Sequence, residues 1–337
     1  MTTSTIGRLA RRVFLRDPRR MDPVIARFEP AEPWQTERIR TVVQAFLTGY
    51  NAAVNAGPLA DVHEPLAALP RYYRPFGYEG AAMGFGPWAL LHRRPLAGFE
   101  AEVGPLAPHT LYQNYVGFGW WLAMRPPFAR PSTSTVLAGL DHHFELLPME
   151  GLGFRTGFLA AGRPGATRRF ARYGAEARHV CHQGFGRSLW FVHMGRPEAA
   201  RPVLDRLDPA YRGDCYSGMG LGFAYSWLDR AGQFPDMLAR IPAPYAADFW
   251  QGAAFGWEAR QLADRPLFDE LLDPLPAADR DRVHRAVRCV HQARRELDER
   301  GHRTAFYQAW RSLTRQHLSE SEGAAAPPPA PRVPPGS

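Results

Sequence analysis

The chain has 337 residues, of which 45% are apolar, and its formal net charge is +8. This apolar fraction can form a sizeable core, which excludes a wholly disordered protein. No apolar run approaches the roughly 18 residues that a membrane-spanning helix needs. Three cysteines are too few for a disulfide framework, and the N-terminus lacks the apolar block of a secretory signal. We therefore expect a cytoplasmic protein.

All 41 basic side chains are arginine, because the sequence contains no lysine. Together with abundant Ala, Gly and Pro, this indicates biased codon usage more than a selected phosphate-binding surface. The densest arginine runs, "RLARR", "RDPRR" and "RRFAR", are short and scattered and have no nucleic-acid module beside them. Nucleic acid is therefore not an expected partner, and residues 1–35 are predicted to form a basic N-terminal arm.

Six segments repeat one glycine-rich pattern from "YEGAAMGFG" to "WQGAAFGWE". The anchor position of the pattern recurs in steps of 34, 37, 33, 34 and 34 residues, and the residue two positions later is small or Val. A period near 34 is typical of helical hairpins, each of which buries its apolar face only against its neighbours. The anchors are Gly80, Asn114, Gly151, Gly184, Gly218 and Gly252.

An Arg-Pro pair follows the anchor in five of the six copies, as in Arg94–Pro95 and Arg265–Pro266. Arginine in the last turn of a helix complements the helix dipole, and proline is tolerated in the first turn of the next helix. Each repeat is therefore predicted to be a helix, a proline turn and a second helix. The predicted fold is all-α, with helical-hairpin repeats that form a solenoid or curved superhelix, and small residues let neighbouring backbones approach.

A propeller of β-strands is the alternative, because Gly-x-Gly-x-Gly-Phe alternates as a strand does. Blades need about 40–45 residues and several turn signals, which the stretches between the glycines lack. We therefore predict a single helical repeat domain over residues 36–318, with six glycine-anchored repeats between end caps at 41–59 and 281–318. Residues 319–337 are rich in Pro and Ala and are predicted to be a disordered tail.

The residue directly before each anchor is polar, and the residue two positions before it is large, so the repeats contain a polar row and a large row. The functional interpretation is a concave groove with a polar floor and an aromatic wall near helix N-termini, which could bind a flat apolar ligand and stabilise an oxyanion. Glu79 and Glu150 are then the candidate catalytic acid and base. The alternative interpretation is helix capping and packing. The polar row is Glu79, Gln113, Glu150, Gln183, Ser217 and Gln251, and the large row is Tyr78, Tyr112, Met149, His182, Tyr216 and Trp250.

Two short histidine clusters contain metal-ligand residue types. They are "HVCH" (His179, Cys181, His182) and "DHHF" (Asp141, His142, His143). Neither has the paired spacing of a zinc site, and no Cys-x-x-Cys occurs. Loop or partly buried histidines are the favoured interpretation, and we predict no metal and no other cofactor, although the sequence does not decide the metal question.

Two segments carry a family resemblance, "FLTGYNAAV" (46–54) and "GYEGAAMGFG" (77–86), followed by "GFGWWLA" and "MEGLGFRTGF". Over nearly the whole chain the sequence resembles the domain-of-unknown-function family encoded in bacterial enediyne biosynthetic gene clusters. The resemblance implies a role in making or tailoring an enediyne core from a polyketide polyene, in antibiotic biosynthesis of an actinobacterium. It supplies no catalytic residues.

Two functions follow as alternatives. The first is a cofactor-independent enzyme that holds a polyene or polyyne in the groove and catalyses cyclisation or isomerisation. The second is a non-catalytic scaffold or carrier that shields the reactive intermediate and binds partner biosynthetic enzymes. The sequence alone does not separate them.

Overall fold

The computed structural model describes residues 12–126, 128–160, 163 and 165–323. All regular secondary structure in these ranges is helical, which confirms the all-α prediction, and no described helix is long and apolar enough to cross a membrane. The long described helices, numbered in chain order, are α1 (Pro33–Asn55), α2 (Arg74–Leu91), α3 (Leu111–Leu122), α4 (Leu147–Ala160), α5 (Ala175–Val192), α6 (Arg212–Ser226), α7 (Ala246–Ala263), α8 (Ala277–Glu299) and α9 (Phe306–Gly323).

The segments between the long helices contain short helices, where the sequence predicted full second helices. The glycine-bearing helices α2 to α7 take 12 to 18 residues of each repeat, and prolines start many of the short elements that follow them. The short α-helices are Asp22–Ile25, His63–Ala67, Phe99–Val103, Thr133–Leu137, Arg201–Leu204, Phe234–Ala239 and Arg265–Leu272. The 3₁₀ helices are Pro18–Met21, Leu59–Val62, Arg71–Tyr73, Leu96–Gly98, Gly104–Leu106, Pro108–Thr110, Ala166–Arg172, Pro197–Ala200, Pro209–Tyr211, Leu228–Gln233 and Ala243–Tyr245.

The Arg-Pro pairs lie beyond the ends of their helices. Helix α2 ends at Leu91, and Arg93 then takes a left-handed conformation with φ of 54°. The Arg94 N–H donates to the Ala89 carbonyl at 2.8 Å, which closes the helix as a Schellman-type turn. The predicted position of the arginine in the last turn was therefore wrong, whereas Pro266 does lie in the first turn of the next helix.

Helices α1 to α7 pack in chain order, each on the next, through glycines that touch backbone. A Cβ atom built on Gly218 of α6 would lie 1.8 Å from the Gln183 carbonyl oxygen of α5. In the same interface, a Cβ on Gly186 would lie 2.0 Å from the Cys215 carbonyl oxygen, so the contact is reciprocal. These distances confirm that the small residues are needed for close helix approach. The equivalent contacts are made by Gly80, Gly151, Gly184 and Gly252.

The register of α3 differs from the predicted alignment. Gly117 makes the anchor contact there, since its Cβ would lie 1.9 Å from the Glu79 carbonyl oxygen. The predicted anchor, Asn114, is three residues too early, because the extra residues of this repeat precede the anchor. The corrected steps are 37, 34, 33, 34 and 34 residues. Gln113 is thereby four positions before its anchor, and Val116 takes the place directly before it.

The row of helices curves until its ends meet. Arg38 of α1 pairs with Asp229, just beyond α6, at 2.6 Å. The Tyr72 hydroxyl, just before α2, donates to the Ser226 carbonyl of α6 at 2.9 Å. Arg71 pairs with Asp264, just after α7, at 2.8 Å. This arrangement is compatible with the predicted curved superhelix, and it encloses an interior where the sequence predicted an open concave groove.

The hairpin of α8 and α9 covers one end of this interior. On α9 the Tyr307 hydroxyl donates to Gln183 Oε1 at 2.9 Å, and the Trp310 ring lies 4.7 Å from the Phe255 ring. Helix α9 continues through Gly323, so the predicted tail of residues 319–337 starts later than expected. Residues 324–337 lie outside the described residues.

An N-terminal segment packs against the other end. The Phe14 carbonyl accepts a hydrogen bond from the Tyr50 hydroxyl of α1 at 2.9 Å, and Arg27 donates to the Leu159 carbonyl of α4. Phe28 is buried in the core. Residues 12–32 of the predicted basic arm are therefore part of the packed domain, and residues 1–11 lie outside the described residues.

We expect Gly218→Ala to destabilise the protein by about 2 kcal/mol or more, because the new methyl would force α5 and α6 apart. The intrinsic helix preference of alanine offsets only about 0.5–1 kcal/mol of this loss. Urea unfolding of the purified variant measures the change. Gly104→Ala is the matched control, since a Cβ there meets nothing within 4 Å. Equal stabilities of the two variants would contradict the packing role of the anchor glycines.

Candidate functional site

One face of each glycine helix points into the interior. This face consists of the residue directly before the anchor and the residues three and seven positions after it. These positions are four residues apart, and residues four apart lie on the same side of a helix. In α5 they are Gln183, Arg187 and Phe191. Arg187 is the one charged residue among the side chains three after the anchors of α2 to α7, which are Met83, Trp120, Phe154, Arg187, Leu221 and Phe255.

Arg187 forms a buried ion cluster with the two predicted catalytic carboxylates. Its Nε lies 2.6 Å from Glu150 Oε1, and its Nη2 lies 2.9 Å from Glu150 Oε2 and 3.5 Å from Glu79 Oε1. Arg187 is 5% exposed, Glu79 is 3% exposed and Glu150 is 1% exposed. The Arg187 guanidinium also lies 4.1 Å from the centre of the Phe154 ring. The structure thus brings Glu79 and Glu150 together. Sequence reasoning missed Arg187, although a charge in an otherwise apolar row could have revealed it.

One guanidinium cannot neutralise two buried carboxylates. Burial raises the pKa of Glu150 to about 7; Glu79 adds to the rise, while Arg187 opposes it. Burial raises the pKa of Glu79 as well, again against the effect of Arg187. Burial alone would lower the pKa of Arg187, but the two carboxylates outweigh it, and the net shift is upward. Burial thus favours the protonated form of both carboxyl groups, and Arg187 favours the charged form.

Stability alone does not account for this cluster. Replacing a buried ion cluster by well-packed apolar residues is often neutral or stabilising, whereas removing one partner is costly. The other repeats carry apolar side chains where Arg187 stands. Buried ionisable groups with shifted pKa values that adjoin a cavity are candidates for a functional site.

An apolar cavity of about 170 Å³ adjoins the cluster, with Glu79 and Arg187 in its wall. It is similar in size to an engineered cavity of about 150 Å³ that binds benzene. Aliphatic and aromatic side chains form most of the lining; the aromatic ones are Phe46, Phe76, Trp120, Phe154, Phe158 and Phe191.

A smaller cavity of about 50 Å³ lies on the other side of Glu79 and Arg187, and Glu150 also lines it. Tyr112 and Gln113 line it, because the register of α3 turns them inward. Close by, the Tyr112 hydroxyl donates to the Glu258 carboxylate at 3.1 Å. Burial raises the pKa of Glu258 to about 7. Glu258 was not predicted from the sequence, although a carboxylate within an apolar stretch, "AAFGWEA", could have revealed it.

The remaining residues of the predicted polar row form a buried hydrogen-bonded chain. Gln183 donates to Ser217 Oγ at 3.1 Å, and Ser217 donates to Gln251 Oε1 at 2.8 Å. All three lie inside their helices, well after the first turn, because the helices begin earlier than predicted. For these three residues the expected placement near helix N-termini was therefore wrong, so neither the helix dipole nor capping applies to them. Glu150 does lie in the first turn of α4, and Gln113 lies in the first turn of α3.

Apart from Tyr112, the residues of the predicted aromatic wall line neither cavity. Neighbouring residues on a helix point about 100° apart. Each large residue directly precedes a residue of the polar row, so the large residues pack against the connecting segments. Tyr78 contacts His63, the His182 ring stacks on Tyr211, Tyr216 stacks on Tyr245, and Trp250 lies against Phe234. Met149 is buried. Tyr112 reaches the interior only through the register shift of α3.

The first histidine cluster is held by hydrogen bonds. His179 Nδ1 lies 2.7 Å from Asp214 Oδ2, and His182 Nδ1 lies 2.8 Å from the Arg178 carbonyl oxygen. The thiols of Cys181 and Cys215 are buried and free. These contacts fit the favoured interpretation of partly buried structural histidines.

In the second cluster, one ligand-type atom from each of Asp141, His142 and His143 lies within 4.8 Å of the other two. Both ring nitrogens of His143 already face carboxylates, Asp141 at 2.7 Å and Asp298 of α8 at 2.8 Å. A metal ion would have to displace one of these contacts. The arrangement serves as a link between this loop and α8.

The chain belongs to the family described as protein of unknown function (DUF1702), whose model matches residues 5–318. No curated protein and no solved structure matches the chain. The resemblance is thereby confirmed at the level of a family of unknown function. The family description names no activity.

Removing the cation should make stability strongly pH-dependent. For Arg187→Met we expect a loss of about 3–5 kcal/mol at pH 8, because two buried carboxyl groups would lack a counter-charge. Near pH 5 we expect a much smaller loss, since both groups can then hold protons. Urea unfolding at the two pH values measures this. In the control variant with Glu79→Gln and Glu150→Gln added, the extra loss at pH 8 should disappear; if it persists, lost packing explains the effect.

Glu150→Gln should remove part of the pH dependence of the unfolding free energy. In the folded protein Glu150 keeps its proton up to about pH 7, whereas in the unfolded chain it loses it near 4.5. The stability that the protonated Glu150 contributes is therefore fully present below pH 4.5 and is lost as the pH rises to about 7. The difference in unfolding free energy between wild type and variant should change over that window. The exposed Glu64→Gln serves as control, and a difference that is constant with pH would contradict the assignment.

Proposed function

We propose that the protein binds an apolar, unsaturated small molecule in the 170 Å³ cavity, against the wall formed by Glu79 and Arg187. One observation carries the proposal: an apolar cavity with six aromatic side chains in its wall adjoins the buried ion cluster of Arg187, Glu79 and Glu150. Ligand sites are typically apolar cavities with a few placed polar groups. The family resemblance suggests a polyene or polyyne of polyketide origin, as in enediyne biosynthesis.

The first candidate function is proton-transfer catalysis without a cofactor. Glu79 is the carboxyl group of the cluster that lines the 170 Å³ cavity, whereas Glu150 lines only the smaller one. A Glu79 carboxylate can remove a proton from a carbon beside a double bond and return it to another carbon of the chain. The double bonds move and the composition is unchanged. Arg187 can stabilise the negative charge that develops, and the raised pKa of Glu150 lets that group keep a proton beside the Glu79 carboxylate.

The second candidate function is a carrier that shields a reactive intermediate and hands it to partner enzymes. The segment that covers part of the cavity favours this alternative. The N-terminal segment contributes Arg16, Asp17, Arg20 and Met21 to the lining, and the hydrogen bond from Tyr50 to Phe14 holds this segment on α1. A bound chain is therefore partly covered by this segment.

The two candidates are separated by incubating the protein in D₂O with a linear triene whose double bonds are not conjugated. Catalysis predicts a rise in ultraviolet absorbance from conjugation and deuterium incorporation measured by mass spectrometry. Glu79→Gln should lower the rate by about 10²-fold or more, with ligand affinity changed less than about threefold. Glu258→Gln, a buried carboxyl outside the cluster, is the matched control.

The other outcomes are equally informative. Binding without deuterium incorporation, unaffected by Glu79→Gln, would support the carrier. Absence of triene binding, measured by quenching of tryptophan fluorescence with Trp120 in the cavity wall, would overturn both candidates.

A further inference from the structure

Basic side chains line the apolar cavity where the N-terminal segment covers it. Arg16 and Arg20 come from that segment, and Arg155 comes from α4. Arg155 lies directly after Phe154, whose ring contacts Arg187, and one turn before Phe158, so its stem belongs to the cavity wall. The cavity thus joins an aromatic interior to a cationic rim.

No described carboxylate forms an ion pair with any of these three arginines. Arg16 instead donates to the Val13 and Leu15 carbonyls. Asp17 is the acidic residue of the rim, and its carboxylate accepts the Arg19 N–H at 3.0 Å. The rim is therefore positively charged and lacks a bound counter-charge from the described part of the chain.

The positive charges also act on one another. Burial, together with nearby Arg169 and Arg16, lowers the pKa of Arg155 to about 10. A half-buried guanidinium that has no carboxylate partner and faces other guanidinium groups is destabilised. An anion at the rim would relieve this, because charge-assisted hydrogen bonds to arginine are strong and geometrically specific.

From this geometry we infer that the ligand is amphipathic: an unsaturated chain that ends in a carboxylate. The carboxylate binds Arg155 and Arg16 at the rim, and the chain extends through the aromatic cavity toward Glu79 and Arg187. By comparison with the cavity that accepts benzene, about 170 Å³ accommodates roughly six to eight carbons. This inference rests on the proposed function and names the ligand class of the same cavity.

Titration calorimetry with two matched probes tests it, 2,4,6-octatrienoate and the uncharged 2,4,6-octatrien-1-ol. We expect the acid to bind at least tenfold more tightly than the alcohol at pH 7.5. Arg155→Met should weaken acid binding about tenfold and change alcohol binding less than twofold. Arg16→Met, away from the long helices, repeats the test if Arg155→Met fails to fold. Arg172→Met is the control, since this arginine lies over Tyr173 outside the cavity.

The outcomes distinguish this inference from the proposed function. Equal binding of acid and alcohol, or equal weakening of both by Arg155→Met, would overturn the carboxylate assignment and leave the apolar site intact. If neither probe binds, the proposed function fails together with the inference. The inference is supported if the wild type binds the acid tenfold more tightly than the alcohol and if Arg155→Met and Arg16→Met both abolish this preference.

Discussion

The structure depends on backbone-to-backbone contact between successive helices at their anchor glycines. The carbonyl of the residue before one anchor touches the next anchor, as Glu150 touches Gly184 and Gln183 touches Gly218. Any Cβ at these places would overlap that carbonyl. Because the contact fixes how each helix is rotated, it also directs the side chains before and after the anchor to the same interior. Packing and site geometry thus have one physical cause.

That interior combines two environments that normally exclude each other. Aromatic and aliphatic side chains fill most of it, yet Arg187, Glu79 and Glu150 lie almost fully buried among them. In such surroundings a charge is costly unless it is paired, which explains both the ion pair of Arg187 with Glu150 and the raised pKa of the two carboxyl groups. Glu79 and Arg187 lie in the walls of both cavities, so the cluster forms the boundary between them.

The sequence predicted much of this architecture because the repeat is a physical requirement. Close helix packing demands a small residue once per repeat, so the glycines, the period and the all-α class could be read from the chain. The pairing of Glu79 with Glu150 was also within reach, since both directly precede an anchor. The repeat alignment went wrong at Asn114, where an insertion can be placed on either side of the anchor and only contacts decide.

By itself, then, the sequence determined the helical repeat, its glycine contacts and two carboxylates at equivalent positions. Only the tertiary structure decided that the row closes on itself, which turned the predicted groove into an enclosed interior and sent Tyr78, His182, Tyr216 and Trp250 against the connecting segments. It also decided that Arg187 meets Glu79, although the two residues are far apart in the chain. Curvature accumulates from small rotations at every interface, and no local pattern of residues records their sum.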